Sequence, residues 1–138
     1  MPKSVIELMN KAQELQLVIP AFNIAYLPMT EPIIQSVRDA NSFALVEVSK
    51  PDIDYFGAES IQSVAETFTK YADLRFVRLH LDHIPVIDEN QQPVDWRSLI
   101  QQGLDYGYES VMLDGSRLPL EQNIALTREV VQMAQKSG

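Results

Sequence analysis

The chain has 138 residues, of which 46% are hydrophobic and 22% charged, and its formal net charge is −8. These values are typical of a single folded domain, residues 1–138, and the acidic balance argues against nucleic acid or an anionic membrane as partner. The sequence contains no cysteine, which excludes disulfides and thiol nucleophiles. It also lacks an apolar run long enough to span a membrane and a signal peptide, so we expect a cytoplasmic protein.

Helices and strands alternate along the first half of the chain. After Ser4, a candidate N-cap, apolar residues recur at helical spacing over 5–15, and a buried strand is predicted over 17–22. A second helix begins near Pro32, because the first turn of a helix tolerates proline. The apolar run ALVEVS over 44–49 predicts the second strand.

The alternation continues in the second half. A strongly amphipathic helix is predicted over 61–71 and a third strand over 75–81. A helix over 96–104, ended by Gly107, precedes a fourth strand over 110–114. The last helix begins near Pro119, and its predicted inward stripe comprises Leu120, Ile124, Val131 and Ala134. Short apolar strands separated by amphipathic helices indicate βαβ units and a parallel sheet.

Each predicted strand ends in polar residues, and these are Asn23, Ser49, Asp82 with His83, and Asp114. Active sites of parallel α/β folds lie at the carboxyl ends of the strands, so the four endings predict one shared polar patch. Taken singly, each residue fits an ordinary turn equally well. Glu47 and Arg78, inside strands, are predicted to pair with other charges within a barrel or to lie near a sheet edge.

Both histidines of the chain lie beside a carboxylate in the stretch RLHLDHIP. In a regular strand His80 and Asp82 share one face, and His83 follows just beyond the predicted strand end. Neutral imidazole is a common zinc ligand, and a neighbouring carboxylate suits acid–base chemistry. The residues alone leave two interpretations open: a metal-binding or catalytic cluster, or side chains that cap backbone groups at a turn.

The motifs IPAFNI, VEVS, HLDH and SVMLDGSRLPLEQNI, in this order and spacing, resemble the class II (zinc-dependent) ketose-bisphosphate aldolases over essentially the whole chain. The resemblance implies an α/β fold made of the first four βα units of a TIM (β/α)8 barrel, with an extra N-terminal helix. A closed barrel takes about 250 residues, so we expect a half-barrel that forms the N-terminal half of such an enzyme.

The resemblance also implies an activity, the reversible cleavage of fructose 1,6-bisphosphate or tagatose 1,6-bisphosphate to dihydroxyacetone phosphate and glyceraldehyde 3-phosphate. It gives Asp82 the role of catalytic proton donor and acceptor, and His83 that of a ligand of the catalytic Zn2+. Ser49 corresponds to a contact with the substrate phosphate, and Asn23 is a further candidate for substrate binding. Asp114 corresponds to the ligand of a second cation, divalent or monovalent, in some family members.

The sequence departs from the family pattern in two ways, by the loop after HLDH and by a length that covers only half of a barrel. The polar loop over 84–94 follows HLDH where family members commonly enter the next helix almost at once, so the choice of sugar stays open. A half-barrel exposes two strand edges, and we expect the chain to form a homo-oligomer or to require its missing C-terminal half, and to be inactive alone. The alternatives are a non-catalytic binding or scaffold module derived from an aldolase half-barrel, and an open flavodoxin-like sheet with a different strand order.

Overall fold

A computed structural model describes residues 3–137 of the chain. Strands and helices alternate within that range in the order α1 (Val5–Glu14), β1 (Ala21–Asn23), a 3-10 turn (Leu27–Met29), α2 (Thr30–Asp39), β2 (Ala44–Ser49), α3 (Lys50–Tyr55), α4 (Ile61–Tyr71), β3 (Val77–Pro85), α5 (Trp96–Asp105), β4 (Ser110–Asp114) and α6 (Leu120–Ser137). Within residues 3–137, no helix combines the length and the apolar character needed to cross a membrane.

The strands form one parallel sheet in the order β1-β2-β3-β4. Each strand therefore pairs with the next one along the chain, as in the first half of a TIM barrel. A flavodoxin-like sheet has the order 2-1-3-4-5 instead, so that alternative is wrong. The strand order confirms the predicted half-barrel.

The two faces of the sheet differ in chemistry because successive side chains of a strand point to opposite sides. Val46, Val48, Leu79 and Leu81 are buried on one face, and α5 approaches that face so closely that a Cβ at Gly103 would collide with Leu81. The residues between them are polar, and the strand register pairs Glu47 with His80 and Ser49 with Asp82. The sheet thus has an apolar face packed against helices and a polar face that carries the predicted site residues.

The residues predicted to begin α1 and to end α5 are found at those positions. The Glu7 backbone N–H donates to Ser4 Oγ at 3.3 Å, and the Ser4 backbone N–H donates to Glu7 Oε2 at 2.8 Å, a capping box that begins α1. Gly107 follows α5 with a φ of 84°, which glycine adopts without strain. These contacts confirm the predicted ends of α1 and α5.

The first strand is shorter and more exposed than predicted. Only Ala21–Asn23 pairs with β2, all three residues are exposed, and Val18 is 92% exposed. The predicted buried strand over 17–22 is therefore wrong in extent and in burial. An apolar run of this kind is typical of a buried strand, but β1 lies at the edge of the sheet, where a strand has one neighbour instead of two.

The last helix presents a different face to the core from the one predicted. Leu120, Ile124 and Val131 are 73%, 42% and 50% exposed, whereas Val130 is buried. Leu126 and Met133 also pack against the core. The helix carries two apolar stripes, and periodicity alone does not indicate which of them packs inward.

Arg78 fulfils the expectation of a charge paired inside the fold. Its side chain is 2% exposed, and its Nε lies 3.2 Å from Glu109 Oε2. Its Nη2 donates to the Lys3 carbonyl at 2.8 Å, and further contacts reach the carbonyls of Leu74 and Val77. This network lies at the amino end of β3, away from the polar strand ends.

Candidate active site

A cavity of about 590 Å3 opens at the carboxyl ends of the strands. All five side chains predicted to act in binding or catalysis line it, namely Asn23, Ser49, Asp82, His83 and Asp114. The structure therefore brings together residues that are up to 91 positions apart in sequence. The same wall also contains Glu47, Glu89 and Arg117, which the sequence did not single out as site residues.

A β-bulge directs His83 toward this cavity. Between the pairs Leu81–Val111 and Ile84–Leu113, β3 advances by three residues and β4 by two. His83 occupies the irregular position with a φ of 41°, a left-handed conformation that is uncommon outside glycine. The predicted location just beyond the strand is therefore wrong, since β3 continues to Pro85 and His83 lies within it.

The imidazole of His83 lies between two carboxylates. Its Nδ1 is 3.3 Å from Asp114 Oδ2, and its Nε2 is 4.0 Å from Asp82 Oδ2. A carboxylate that accepts a hydrogen bond from Nδ1–H fixes the tautomer in which Nε2 carries the free lone pair. The histidine side chain is 54% exposed, so this nitrogen is accessible from the cavity.

Asp114 is held in its charged form by its hydrogen bonds. Burial acts to raise the pKa of its carboxyl group, but hydrogen bonds from Ser116 and His83 outweigh it and lower the pKa below the ordinary value. The Ser116 backbone N–H donates to Asp114 Oδ1 at 2.9 Å. A charged Asp114 can orient His83 or bind a cation directly.

A second group of polar side chains lies next to Asp82. One carboxylate oxygen each of Glu47 and Asp82 and one ring nitrogen of His80, atoms that could bind a metal, all lie within 4.8 Å of one another. His80 Nδ1 is 2.7 Å from Ser110 Oγ, and its Nε2 is 3.6 Å from Asp82 Oδ1. Burial is the main cause that lowers the pKa of His80, which favours the neutral ring. Burial also raises the pKa of Glu47 to about 7, with a further contribution from the negative charge of Asp82.

Ser49 and Asn23 share one partner, Asp52. The Oδ2 atom of Asp52 accepts hydrogen bonds from Ser49 Oγ at 2.7 Å, from the Ser49 backbone N–H at 2.9 Å and from Asn23 Nδ2 at 3.0 Å. The bond from the Ser49 backbone N–H, together with the bond from the Asp52 backbone N–H to Ser49 Oγ at 3.3 Å, forms the capping box at the start of α3. A phosphate bound at Ser49 would have to replace or share its bond to Asp52.

The polar loop predicted over 84–94 begins only after Pro85, where β3 ends, and it forms one wall of the cavity. An isolated antiparallel bridge joins Ile87 to Pro93, and Asp88 Oδ1 accepts hydrogen bonds from the backbone N–H groups of Asn90 and Gln92 at 2.9 and 2.8 Å. The loop is thus an ordered hairpin whose Ile87 and Glu89 face the site. This agrees with its predicted position at the border of the site.

Two site residues had usable signals in the sequence. Ser49 followed three residues later by Asp52 is a capping-box pattern, which predicts the contact between them. An acid inside the apolar run ALVEVS predicts that Glu47 faces a polar surface. Arg117 follows Asp114 by three residues, so the argument that placed the end of β4 at the polar patch also places this loop there, but nothing in the sequence singled out its charge.

The donor set fits part of a zinc site. His83 offers one accessible imidazole nitrogen, Nε2, and Asp82 Oδ2 lies 4.0 Å from it, whereas Asp114 contacts the other ring nitrogen. One imidazole and one neighbouring carboxylate are fewer than the three protein ligands that catalytic zinc usually takes, so the described residues account for an incomplete set.

Comparisons with known proteins identify relatives of this chain. The family described as Fructose-bisphosphate aldolase class-II matches residues 3–138. The chain is 32% identical to the 6-phospho-5-dehydro-2-deoxy-D-gluconate aldolase of Halalkalibacterium halodurans, over 96% of this chain and 43% of that protein. It is 29% identical to the D-tagatose-1,6-bisphosphate aldolase subunit GatY of Klebsiella oxytoca, over 91% and 40% respectively.

The fold is shared with a solved aldolase. The crystal structure of the YdjI aldolase from Escherichia coli K12 superposes with a TM-score of 0.74 at 21% identity, over 99% of this chain and 48% of that one. The chain spans less than half the length of the relatives that it matches. Because the family match covers nearly every residue, the chain belongs to the class II fructose-bisphosphate aldolase family.

Proposed function

We propose that this chain is the N-terminal half, a single domain over 1–138, of a zinc-dependent aldolase that cleaves a phosphorylated sugar reversibly. The first candidate substrates are fructose 1,6-bisphosphate and tagatose 1,6-bisphosphate. The observation that supports the proposal is the convergence of five polar strand-end residues on one cavity. We also propose that the protein is cytoplasmic and that its partner is a small molecule, not nucleic acid or a membrane.

A second candidate substrate is 6-phospho-5-dehydro-2-deoxy-D-gluconate. Its aldolase in H. halodurans is 32% identical to this chain. That substrate carries a carboxylate as well as a phosphate, and an arginine at the cavity wall is suited to either group.

In the proposed reaction Asp82 performs the proton transfer. Its carboxylate accepts the proton of the hydroxyl group next to the carbon–carbon bond that breaks, and it returns the proton in the condensation direction. The side chain is 15% exposed and lines the cavity, and the neutral His80 lies beside it. Asn23 and Ser49 would bind the substrate on the β1–β2 side.

His83 would hold the zinc through Nε2, with Asp114 either fixing its tautomer or binding a second cation. Zinc, when bound, supplies a Lewis acid that polarises the carbonyl of the substrate. We propose that further ligands come from segments outside this chain, since catalytic zinc usually takes three protein ligands.

Zinc titration with matched histidine variants tests the proposal. We expect His83→Ala to weaken zinc binding about tenfold or more, because it removes a ligand. His80→Ala, which removes the other histidine, should change it far less. Equal zinc affinity in the wild type and His83→Ala would contradict the assigned ligand.

A coupled assay of aldol cleavage with the candidate substrates completes the test, on this chain and on a form extended past Gly138. Asp82→Asn should lower kcat by about 10²–10⁴-fold while zinc affinity stays unchanged. An extended form that binds zinc and cleaves none of the candidate substrates would favour the non-catalytic alternative.

A further inference from the structure

The cavity is strongly acidic apart from one side chain. Four carboxylic acids line it, namely Glu47, Asp82, Glu89 and Asp114. Among the described residues that line it, Arg117 is the only lysine or arginine. A negatively charged substrate group is repelled by most of this surface, and the guanidinium of Arg117 is the place where it is attracted.

The charge of Arg117 is not neutralised within the described part of the chain. Arg38, Arg75, Arg78 and Arg97 each form an ion pair with a carboxylate, whereas Arg117 forms none in residues 3–137. Arg128 on α6 also has no ion pair there, but it lies outside the cavity wall. An arginine at a cavity wall with five unpaired donors is well suited to a phosphate or a carboxylate.

The loop that carries Arg117 is fixed relative to His83. The Ser116 backbone N–H donates to Asp114 Oδ1, and Asp114 Oδ2 contacts His83 Nδ1. The Leu118 backbone N–H donates to the Gly115 carbonyl at 2.9 Å, which closes the turn around Arg117. The backbone that carries Arg117 is therefore held at a set position relative to the proposed zinc ligand.

The wall formed by β1 and β2 is less suited to an anion. The Ser49 hydroxyl, the Ser49 backbone N–H and the Asn23 amide all donate to the carboxylate of Asp52. An anion placed there meets a buried negative charge and donors that are already engaged.

We propose that Arg117 is a substrate-binding residue that determines specificity by binding an anionic group of the substrate, a phosphate or a carboxylate. This inference rests on the proposed function and extends it, since it predicts that substrates with a negative charge at this position are preferred over neutral ones. Glu89, on the hairpin that borders the same cavity, repels anions, so that attraction is confined to the position beside Arg117.

Anion titrations followed by NMR of the 15N-labelled chain test this inference, with inorganic phosphate and acetate as separate probes at constant ionic strength. We expect phosphate to shift the backbone signals of residues 115–117, and Arg117→Gln to weaken its binding about tenfold. Arg128→Gln, an equally unpaired arginine outside the cavity, should leave it unchanged. Glu89→Gln should strengthen binding about twofold, because it removes a repelling charge.

The two probes distinguish the source of the charge. Loss of phosphate binding alone in Arg117→Gln indicates a phosphate site, and loss of acetate binding alone indicates a carboxylate site. Unchanged binding of both probes in Arg117→Gln, or shifts remote from residues 115–117, would overturn the inference. Zinc affinity, measured on the same samples, separates the two proposals. Phosphate binding through Arg117 without zinc binding through His83 would contradict only the proposed metal site.

Discussion

At the residue scale, the site is defined by how a few polar side chains change one another's chemistry. Glu47 is 8% exposed in β2, between Val46 and Val48, and faces His80 and Asp82. The sequence predicted that Glu47 would pair with other charges within a barrel or lie near a sheet edge. It did not predict which ones, because β2 and β3 are brought into register by the whole sheet and not by local sequence.

The raised pKa of Glu47 predicts a pH dependence of stability. Burial, together with the nearby charge of Asp82, raises its pKa from 4.5 in the unfolded chain to about 7. The folded state therefore keeps a proton that the unfolded state has lost between these values. Stability is highest below pH 4.5 for this group and falls as the pH rises to about 7.

Replacement of Glu47 by glutamine should remove this loss. After a discount for solvent in the open cavity, we expect Glu47→Gln to be more stable than the wild type at pH 8 by about 1–2 kcal/mol, and closer to it at pH 5. Urea unfolding at a series of pH values measures the difference. Glu66→Gln, on the exposed side of α4, is the control, and an identical pH slope in wild type and Glu47→Gln would contradict the prediction.

At the scale of the elements, contacts at the ends of strands and helices position the site. The sequence predicted β2, α4, α5 and β4 closely, because each combines a clear apolar pattern with a capping residue or glycine at its end. It did not predict α3, which has six residues and begins directly after the last residue of β2. A helix this short carries too little periodic pattern to be recognised.

The capping box of α3 predicts a large effect of one buried carboxylate. Asp52 is 7% exposed and accepts three hydrogen bonds, from Ser49 and Asn23. Replacement by alanine leaves the two buried donors of Ser49 without an acceptor, so we expect Asp52→Ala to lower the free energy of unfolding by about 2 kcal/mol.

The matched control lies in the same helix. Asp54 pairs with Lys50 near the surface, and such pairs contribute about 0–1 kcal/mol. Chemical denaturation of both variants measures the difference. Equal losses in Asp52→Ala and Asp54→Ala would show that the buried network does not stabilise the start of α3.

At the scale of the whole molecule, a half-barrel leaves surfaces that its own described residues do not cover. The sheet order places β1 and β4 at its edges, each with one neighbouring strand. Phe22 on β1 and Met112 on β4 are 41% and 38% exposed, and α6, which contacts β4, carries an exposed apolar stripe. Unpaired strand edges and apolar patches favour association with another chain.

We therefore expect the chain to form dimers or larger oligomers, which is one of the two outcomes that the sequence predicted, the other being a requirement for a C-terminal half. Light scattering coupled to size-exclusion chromatography measures the mass directly. The double variant Ile124→Lys/Val131→Lys places two charges on the outward stripe of α6 and should shift the population toward the monomer. Ile6→Lys, at a residue 73% exposed on α1, is the control for a general effect of added charge. A wild-type chain that elutes as a stable, well-folded monomer would contradict the prediction, because the edges and the α6 stripe would then be tolerated in water.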